Sequence, residues 1–121
     1  MATGILDDRY TGRVIHFVRG YYTSLAVQID HIVALADAWE TGARRWTFTR
    51  RETYANDPRE LMAVDGPANE QKGDDDDSEW IPPYRRFDCQ YVADQVMIKR
   101  TYGLWMTPAE KSAAVRILHG C

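Results

Sequence analysis

Three residues of the chain have side chains suited to holding a hard divalent cation and activating water. Asp30 and His31 are adjacent, and Asn69 follows later in the chain. A carboxylate and an amide oxygen, completed by water, suit Mg²⁺, which needs few protein ligands. The imidazole of His31, with a reference pKa of about 6.5, can take a proton from a water that attacks phosphorus in line. The pattern therefore predicts phosphate-ester hydrolysis with one cation as Lewis acid.

Two predicted strands must position this site. The stretch 25–32 alternates apolar and polar residues and ends near Asp30 and His31, and the short apolar stretch 60–64 is typical of a buried strand. The apolar set of the first strand is Leu25, Val27 and Ile29. Because neighbouring strand residues point to opposite faces, Asp30 and His31 can share a site only if the strand ends or bulges there.

A short helix is predicted directly after the second strand. Its N-cap is Asp65 or Gly66, a proline stands at its first position, and a glycine ends it after about two turns. Asn69 and Lys72 lie three residues apart on one face of this helix. An oxygen ligand and a cation able to hold a phosphate would then be presented together.

The remaining chain is predicted to add a strand and four helices, which makes the fold class α+β. A turn at 7–12 leads into the strand at 13–20, and connecting helices are predicted within 34–43 and at 47–55. A long amphipathic helix ends at Gly103. The last helix begins at Thr107-Pro108-Ala109-Glu110, which has the form of a capping box.

Length and composition predict one folded domain over residues 1–121. Hydrophobic residues make up 45% and aromatic residues 12%, which is not the composition of a disordered chain. With 15 basic and 18 acidic residues the net charge is −3, so the chain lacks the overall basic charge of many nucleic-acid binders. No apolar run reaches the length of a membrane span, and the first residues do not form a signal peptide.

Basic residues cluster locally instead. Arginines surround two aromatic residues in the segment 44–51 and could follow a DNA backbone, which would make binding salt-dependent. The alternative is an ordinary solvated helix face with its aromatic residues in the core. The segment contains Arg44, Arg45, Trp46, Phe48, Arg50 and Arg51, and the pairs Arg85-Arg86 and Lys99-Arg100 add further charge. The acidic run Asp74 to Asp77 reads as a hydrated loop, with a second cation site as the alternative.

The two cysteines, Cys89 and Cys121, fit neither a CxxC redox pair nor a zinc site. A single disulfide and two reduced thiols both stay open, because the compartment decides between them. A disulfide would stabilise the fold by about 3 kcal/mol in the loop-entropy model.

Several stretches resemble the HNH nuclease family common in actinobacteria and their phages, which is related to the C-terminal nuclease domain of modification-dependent restriction enzymes. The resemblance covers about 8–121, and its most specific parts are Ile29-Asp30-His31-Ile32-Val33-Ala34-Leu35, Asp57-Pro58, the stretch from Leu61 to Asp74, and Trp80-Ile81-Pro82-Pro83. The pattern Asp-His-Ile-Val with Asn-x-x-Lys is also similar to the HNH domain of RNA-guided CRISPR nucleases.

The resemblance implies a ββα-metal core, with an N-terminal β-hairpin and C-terminal helices around it, that cuts DNA with a single Mg²⁺ or Mn²⁺. Asp30 and Asn69 would hold the cation, His31 would be the general base, and Asn69 would also belong to the catalytic set. Lys72 would contact phosphate, with Arg44, Arg45 and Arg50 as further candidates for DNA binding. Cys89 and Cys121 match positions that look like a disulfide in secreted relatives.

One position departs from the family pattern. The middle residue of the HNH triad, usually Asn, falls at Glu60. In the family this residue is thought to hold the loop and orient the base, and a carboxylate could do so by hydrogen bonding while raising the pKa of a nearby histidine. An active endonuclease is therefore expected, and the alternative is a degenerate HNH-fold module that binds nucleic acid or protein without cleavage.

Overall fold

The computed structural model describes residues 3–18 and 26–121. In this part of the chain there are four strands and five α-helices. In chain order they are β1 (Thr3–Asp7), β2 (Val14–Val18), β3 (Val27–His31), α1 (Leu35–Glu40), a 3-10 turn (Ala43–Arg45), α2 (Phe48–Ala55), β4 (Leu61–Asp65), α3 (Gly66–Lys72), α4 (Arg85–Tyr102) and α5 (Pro108–His119). The α+β class predicted from the sequence is confirmed.

The N-terminal hairpin pairs β1 with β2 in antiparallel register, from Thr3 opposite Val18 to Asp7 opposite Val14. Its turn is held by Asp8, whose buried carboxylate accepts hydrogen bonds from the backbone N–H of Thr11 at 2.8 Å and of Asp65 at 2.9 Å. The second bond ties this hairpin to the end of β4. The predicted strand 13–20 is thus observed over Val14–Val18, and its last two residues lie outside the described part.

The second hairpin pairs β3 with β4, and α3 follows β4 without a break. Asp30 lies opposite Met62 and His31 opposite Leu61. Ile29, a member of the apolar set of this strand, is 61% exposed, whereas Asp30 faces inward at 7% exposure. Leu25, another member of that set, lies outside the described residues. The polar residue is inside because its carboxylate has buried partners there.

The start of α3 follows the prediction. Asp65 is the N-cap, and its carboxylate accepts a hydrogen bond from the N–H of Ala68 at 2.9 Å, while Gly73 ends the helix with a φ of 51°.

Between β3 and β4 the chain makes α1, the 3-10 turn and α2, so 29 residues separate the two strands of this hairpin. That excursion supplies one wall of the site described below.

The predicted capping box of α5 is half correct. Thr107 accepts a hydrogen bond from the N–H of Glu110 at 3.1 Å, as such a cap requires. The carboxylate of Glu110 does not return to Thr107 but accepts a hydrogen bond from Lys99, whose Nζ also donates to Asp37 at 2.9 Å. Lys99 is therefore buried in an ion-pair cluster between α1, α4 and α5, and the expectation that it adds charge to a DNA-binding surface is wrong.

Two apolar clusters form the core. The first lies around Tyr10, Val64, Phe87 and Tyr91, and joins both hairpins to α4. The second lies around Val33, Tyr54, Ile98 and Tyr102, and packs α2 against α4. A disulfide joins Cys89 in α4 to Cys121 after α5, so the bridge implied by the family resemblance is confirmed. None of the described helices is long and apolar enough to cross a membrane.

Candidate active site

An open pocket of about 270 Å³ lies where β3 ends against α3. It brings together Asp30, His31 and Asn69, the three residues selected from the sequence. The strand ends at His31 and the chain bends at Ile32, which allows two successive side chains to border one pocket despite the alternation of a strand. Its full lining is Ile29, Asp30, His31, Ala34, Leu35, Asn69, Gly73 and Asp74.

The two carboxylate oxygens of Asp30 have different surroundings. Oδ2 accepts a hydrogen bond from Lys72 Nζ at 2.6 Å and a short one from the Tyr10 hydroxyl. Oδ1 has no hydrogen-bond partner among the described residues, although the residue borders the pocket. Tyr10 is fully buried, and burial raises its pKa far above the ordinary value, so it donates as a neutral phenol. Buried donors thus fix Oδ2 of Asp30, while Oδ1 remains available to a ligand in the pocket.

Lys72 is located behind the site and not on its surface. The side chain is fully buried, and Nζ donates to Asp30 and to the backbone carbonyls of His31 and Ile32, each carbonyl at 2.8 Å. Desolvation lowers the pKa of this ammonium, and the charge of Asp30 counteracts that effect. Its three N–H donors are directed at protein acceptors, so the arrangement gives no support to the expected direct contact between Lys72 and a phosphate.

The ring of His31 is oriented by the last residue of α2. Its Nε2 lies 2.9 Å from the carbonyl oxygen of Ala55. A carbonyl can only accept, so Nε2 carries the proton and Nδ1 is left with a free lone pair in the neutral ring. The hydrogen bond therefore selects the tautomer in which Nδ1 can accept a proton from water.

Asn69 is also held by a neighbour. Its Nδ2 donates to Gln28 Oε1 at 2.9 Å, and Gln28 in turn donates to Glu70 at 3.1 Å. Because the amide nitrogen is used in this bond, the amide oxygen of Asn69 is the atom left to serve as a ligand. Carboxylate and amide oxygens on one open pocket are the donor types that Mg²⁺ takes.

Glu60 supports the loop that follows His31. Its Oε1 accepts a hydrogen bond from the N–H of Val33 at 2.6 Å, and its carbonyl oxygen accepts one from the N–H of Ile32 at 2.8 Å. The side chain is fully buried, Oε2 has no partner among the described residues, and burial raises its pKa to about 7. Among the described residues, no hydrogen bond joins Glu60 to the His31 ring. Glu60 therefore contacts the loop that follows His31.

The arginines expected to bind DNA are divided between surface and packing roles. Arg44 and Arg45 are exposed on the 3-10 turn. Arg50 donates to the carbonyl of Tyr102 at 3.0 Å and lies over the ring of Trp46 at 4.6 Å, so it joins α2 to the end of α4. None of the three borders the pocket that contains His31.

The acidic run also divides. Asp74 borders the pocket, whereas Asp77 is buried, and neither of its carboxylate oxygens has a partner among the described residues. Burial and the nearby Glu110 raise the pKa of Asp77 to about 7. Over the described residues there is no group of three or more His, Cys, Asp and Glu side chains placed to hold a metal, so the alternative of a second cation site here has no support.

Residues that the sequence did not single out complete the site: Tyr10, Gln28 and the carbonyl of Ala55. Tyr10 stands in a stretch that contributes to the family resemblance, but its contact with Asp30 spans 20 residues. The Ala55 carbonyl has no side-chain signal at all. Only the folded chain reveals these partners.

A hairpin followed by a helix, with acid, imidazole and amide side chains on one pocket, is a site suited to hydrolysis. The family model of the GmrSD restriction endonucleases, C-terminal domain, matches residues 5–117. The chain therefore belongs to this family of restriction endonuclease domains, and the membership indicates an endonuclease.

A curated relative extends the comparison. The chain is 40% identical over 97 residues to an uncharacterized secreted protein of Arthroderma benhamiae. The match covers 78% of this chain and 48% of the relative, so the chain spans about half the length of that protein. No solved structure matches the chain.

Proposed function

We propose that residues 1–121 form a single HNH-type nuclease domain with a ββα-metal core, which hydrolyses DNA phosphodiester bonds with one Mg²⁺ or Mn²⁺. The observation that carries the proposal is the shared pocket of Asp30, His31 and Asn69 at the junction of β3 and α3. The elements β3, β4 and α3 supply the ββα order. Family membership supports the endonuclease class independently.

His31 is the general base in this proposal. The Ala55 carbonyl holds Nε2–H at 2.9 Å, so Nδ1 can accept a proton from the water that attacks phosphorus. A backbone carbonyl at the end of a helix is a rigid partner for this purpose. Glu60 assists at a distance, because its bonds to Ile32 and Val33 fix the chain immediately after the base.

Asp30 and Asn69 are the residues that would hold the cation. They fit because Oδ1 of Asp30 lacks a protein partner among the described residues and the amide oxygen of Asn69 is left over by its bond to Gln28. A divalent cation bound there supplies Lewis-acid stabilisation of the negative charge on the phosphate and the leaving oxygen. Two protein ligands suffice for Mg²⁺, which keeps several waters.

Lys72 and Tyr10 are positioning residues. Both hold Oδ2 of Asp30 from the buried side, so the carboxylate cannot rotate away from the pocket. Lys72 also fixes the backbone at His31 through its carbonyl bond at 2.8 Å. A single buried ammonium thereby couples the proposed cation ligand and the proposed base.

Local patches of positive charge on the surface would make the contact with DNA. The net charge is −3, so approach to a polyanion depends on the exposed arginines, among which Arg44 and Arg45 remain candidates. Each neutralised phosphate of duplex DNA contributes a slope of about −0.9 to the dependence of log K on log salt. The proposal expects this dependence to weaken when either arginine is removed.

One observation favours a second candidate, a catalytically inactive module that binds nucleic acid or protein. The charge of Asp30 is already compensated by Lys72 at 2.6 Å, which lowers the electrostatic gain from a cation. This candidate predicts binding without cleavage in the presence of any divalent ion.

Cleavage of plasmid DNA decides between the two. Wild-type protein is expected to nick supercoiled plasmid with Mg²⁺ or Mn²⁺ and to leave it intact with EDTA. His31→Ala should lower the rate by roughly 10²- to 10⁴-fold, the range for loss of a general base. His119→Ala is the matched control, because this exposed histidine in the last turn of α5 lies outside the pocket.

Equal rates for wild type and His31→Ala would refute the role of His31 as base. Absence of metal-dependent nicking, together with retained DNA binding, would favour the inactive module. Turnover that is abolished by Asn69→Ala would exclude that module.

A further inference from the structure

A second pocket, of about 190 Å³, lies beside the proposed active site between α1 and α2. Its walls are apolar and aromatic, formed mainly by Leu35, Ala38, Trp39, Tyr54 and Ala55, with Arg51 at one side. The hydroxyl of Tyr54 bonds to the carbonyl of Val33 at 3.2 Å, so this polar group already has a partner. Trp39 is 49% exposed, and the guanidinium of Arg51 lies over its indole ring.

Two residues connect this pocket with the pocket of His31. Leu35 borders both of them. Ala55 borders the apolar pocket with its side chain, while its carbonyl binds Nε2 of His31. A ligand in the apolar pocket is therefore an immediate neighbour of the proposed general base.

The charge beside the pocket suits an anionic chain. The guanidinium of Arg51 lies 5.3 Å from the ring centroid of Trp39, and Nη1 is fixed by a bond to the carbonyl of Trp46 at 2.8 Å. Arg44 and Arg45 are exposed on the turn between α1 and α2. An aromatic wall with arginines beside it is the combination by which proteins hold unpaired bases on a phosphate backbone.

The size of the pocket limits the occupant. Pockets for drug-sized ligands measure about 300 to 1,000 Å³, so a volume of 190 Å³ suits one small planar ring system. We propose that this pocket receives one unstacked nucleobase of the DNA strand being cut, with Trp39 as its stacking platform. The inference rests on the proposed nuclease function and deepens it, because a base can enter only after it leaves the duplex stack. Single-stranded DNA is thus the expected preferred substrate.

The first test compares two substrates that differ in the presence of a base. With Mn²⁺, Trp39→Ala should raise KM for a short single-stranded oligonucleotide by roughly 5- to 150-fold, the range that stacking of a base on an aromatic side chain is worth. Cleavage of an abasic oligonucleotide of the same length, which has the phosphodiester chain without the nucleobases, should keep its KM. Trp39→Phe should restore most of the affinity for the oligonucleotide, since a phenyl ring also stacks.

Trp105→Ala is the matched control. Trp105 is 46% exposed and has the Arg45 guanidinium 5.8 Å from its ring, so it resembles Trp39 in exposure and charge but does not border the pocket. It should leave KM for the oligonucleotide near the wild-type value. Unchanged KM in Trp39→Ala, or an equal loss on both substrates, would overturn the inference.

A binding measurement in EDTA separates this inference from the nuclease proposal. Fluorescence anisotropy of a labelled single-stranded oligonucleotide should show weaker binding to Trp39→Ala than to wild type and to Trp105→Ala. If wild type binds in this Trp39-dependent way but never cleaves, the nuclease proposal fails and the base pocket stands. If wild type cleaves and Trp39 affects neither binding nor KM, the base pocket fails and the nuclease proposal stands.

Discussion

Replacing Glu60 by Gln tests the account of the loop behind the base. Glu60 is fully buried, with Oε1 bound to the N–H of Val33 and Oε2 without a partner among the described residues. Gln retains an oxygen acceptor for Val33 and nearly the same volume, but it cannot ionise. The substitution therefore removes the cost of a buried charge and leaves the hydrogen bond to the loop in place.

The magnitude follows from the pKa of Glu60, which burial raises from 4.5 to about 7. A tenfold change in proton affinity is worth about 1.4 kcal/mol, so the difference corresponds to about 3 kcal/mol. The folded state binds the proton more tightly than the unfolded state. Protonated Glu60 thus contributes its full stabilisation to the wild-type fold below pH 4.5. This contribution decreases as the pH rises towards 7 and is absent above it.

Urea unfolding at a series of pH values measures the effect. The free energy of unfolding of Glu60→Gln minus that of wild type should increase by up to about 3 kcal/mol between pH 4.5 and pH 8. Asp77→Asn is a matched comparison, because burial also raises the pKa of this carboxyl to about 7, and it should change the stability with the same sign.

A constant difference between Glu60→Gln and wild type over this pH range would refute the reasoning, because it would mean that Glu60 is solvated or paired in the folded protein. A difference that shrinks as the pH rises would refute it more strongly, since it would require a stabilising charge at Glu60. Nuclease activity should survive in Glu60→Gln, because the bond to Val33 survives.

Two further outcomes are expected. Lys72→Met should lower the free energy of unfolding by about 3 to 5 kcal/mol in urea titration, since it leaves two carbonyls without their donor and Asp30 with only the hydroxyl of Tyr10. A lysine that only touched phosphate would change the stability by less than about 0.5 kcal/mol. Replacing both Cys89 and Cys121 by Ser should lower the free energy of unfolding by about 3 to 4 kcal/mol, because the disulfide closes a loop of 32 residues. Unfolding of the wild type with and without reductant checks this value, and equal stability of the variant and the oxidised wild type would contradict it.

The sequence predicted the elements of the fold well where local physics decides them. Asp65 caps α3 through a bond of 2.9 Å to Ala68, and Gly73 and Gly103 end helices in conformations with positive φ. These features depend on a few neighbouring residues and are readable from spacing. The long helix α4 followed for the same reason, whereas the N-terminal hairpin was implied by the family resemblance, because only its turn and second strand were predicted from the residues.

The sequence pattern was least informative where a polar residue has a distant buried partner. Ile29 belongs to the apolar set of β3, yet it is exposed and Asp30 is inside, because Lys72 and Tyr10 donate hydrogen bonds to the carboxylate of Asp30 there. Lys72 was expected to contact phosphate, whereas its ammonium donates to Asp30 and to two backbone carbonyls. Pattern rules cannot include a partner that lies 42 residues away.

The sequence by itself therefore determined which chemical groups the chain carries and which local elements present them: Asp30, His31 and Asn69, at the end of a strand and in a capped helix. The tertiary structure decided which atoms of these groups are free. Buried donors occupy one oxygen of Asp30, the Ala55 carbonyl occupies one nitrogen of His31, and Gln28 occupies the amide nitrogen of Asn69. The physical reason is that each of these hydrogen bonds forms with the group that the folded chain brings within reach, independent of its separation along the sequence.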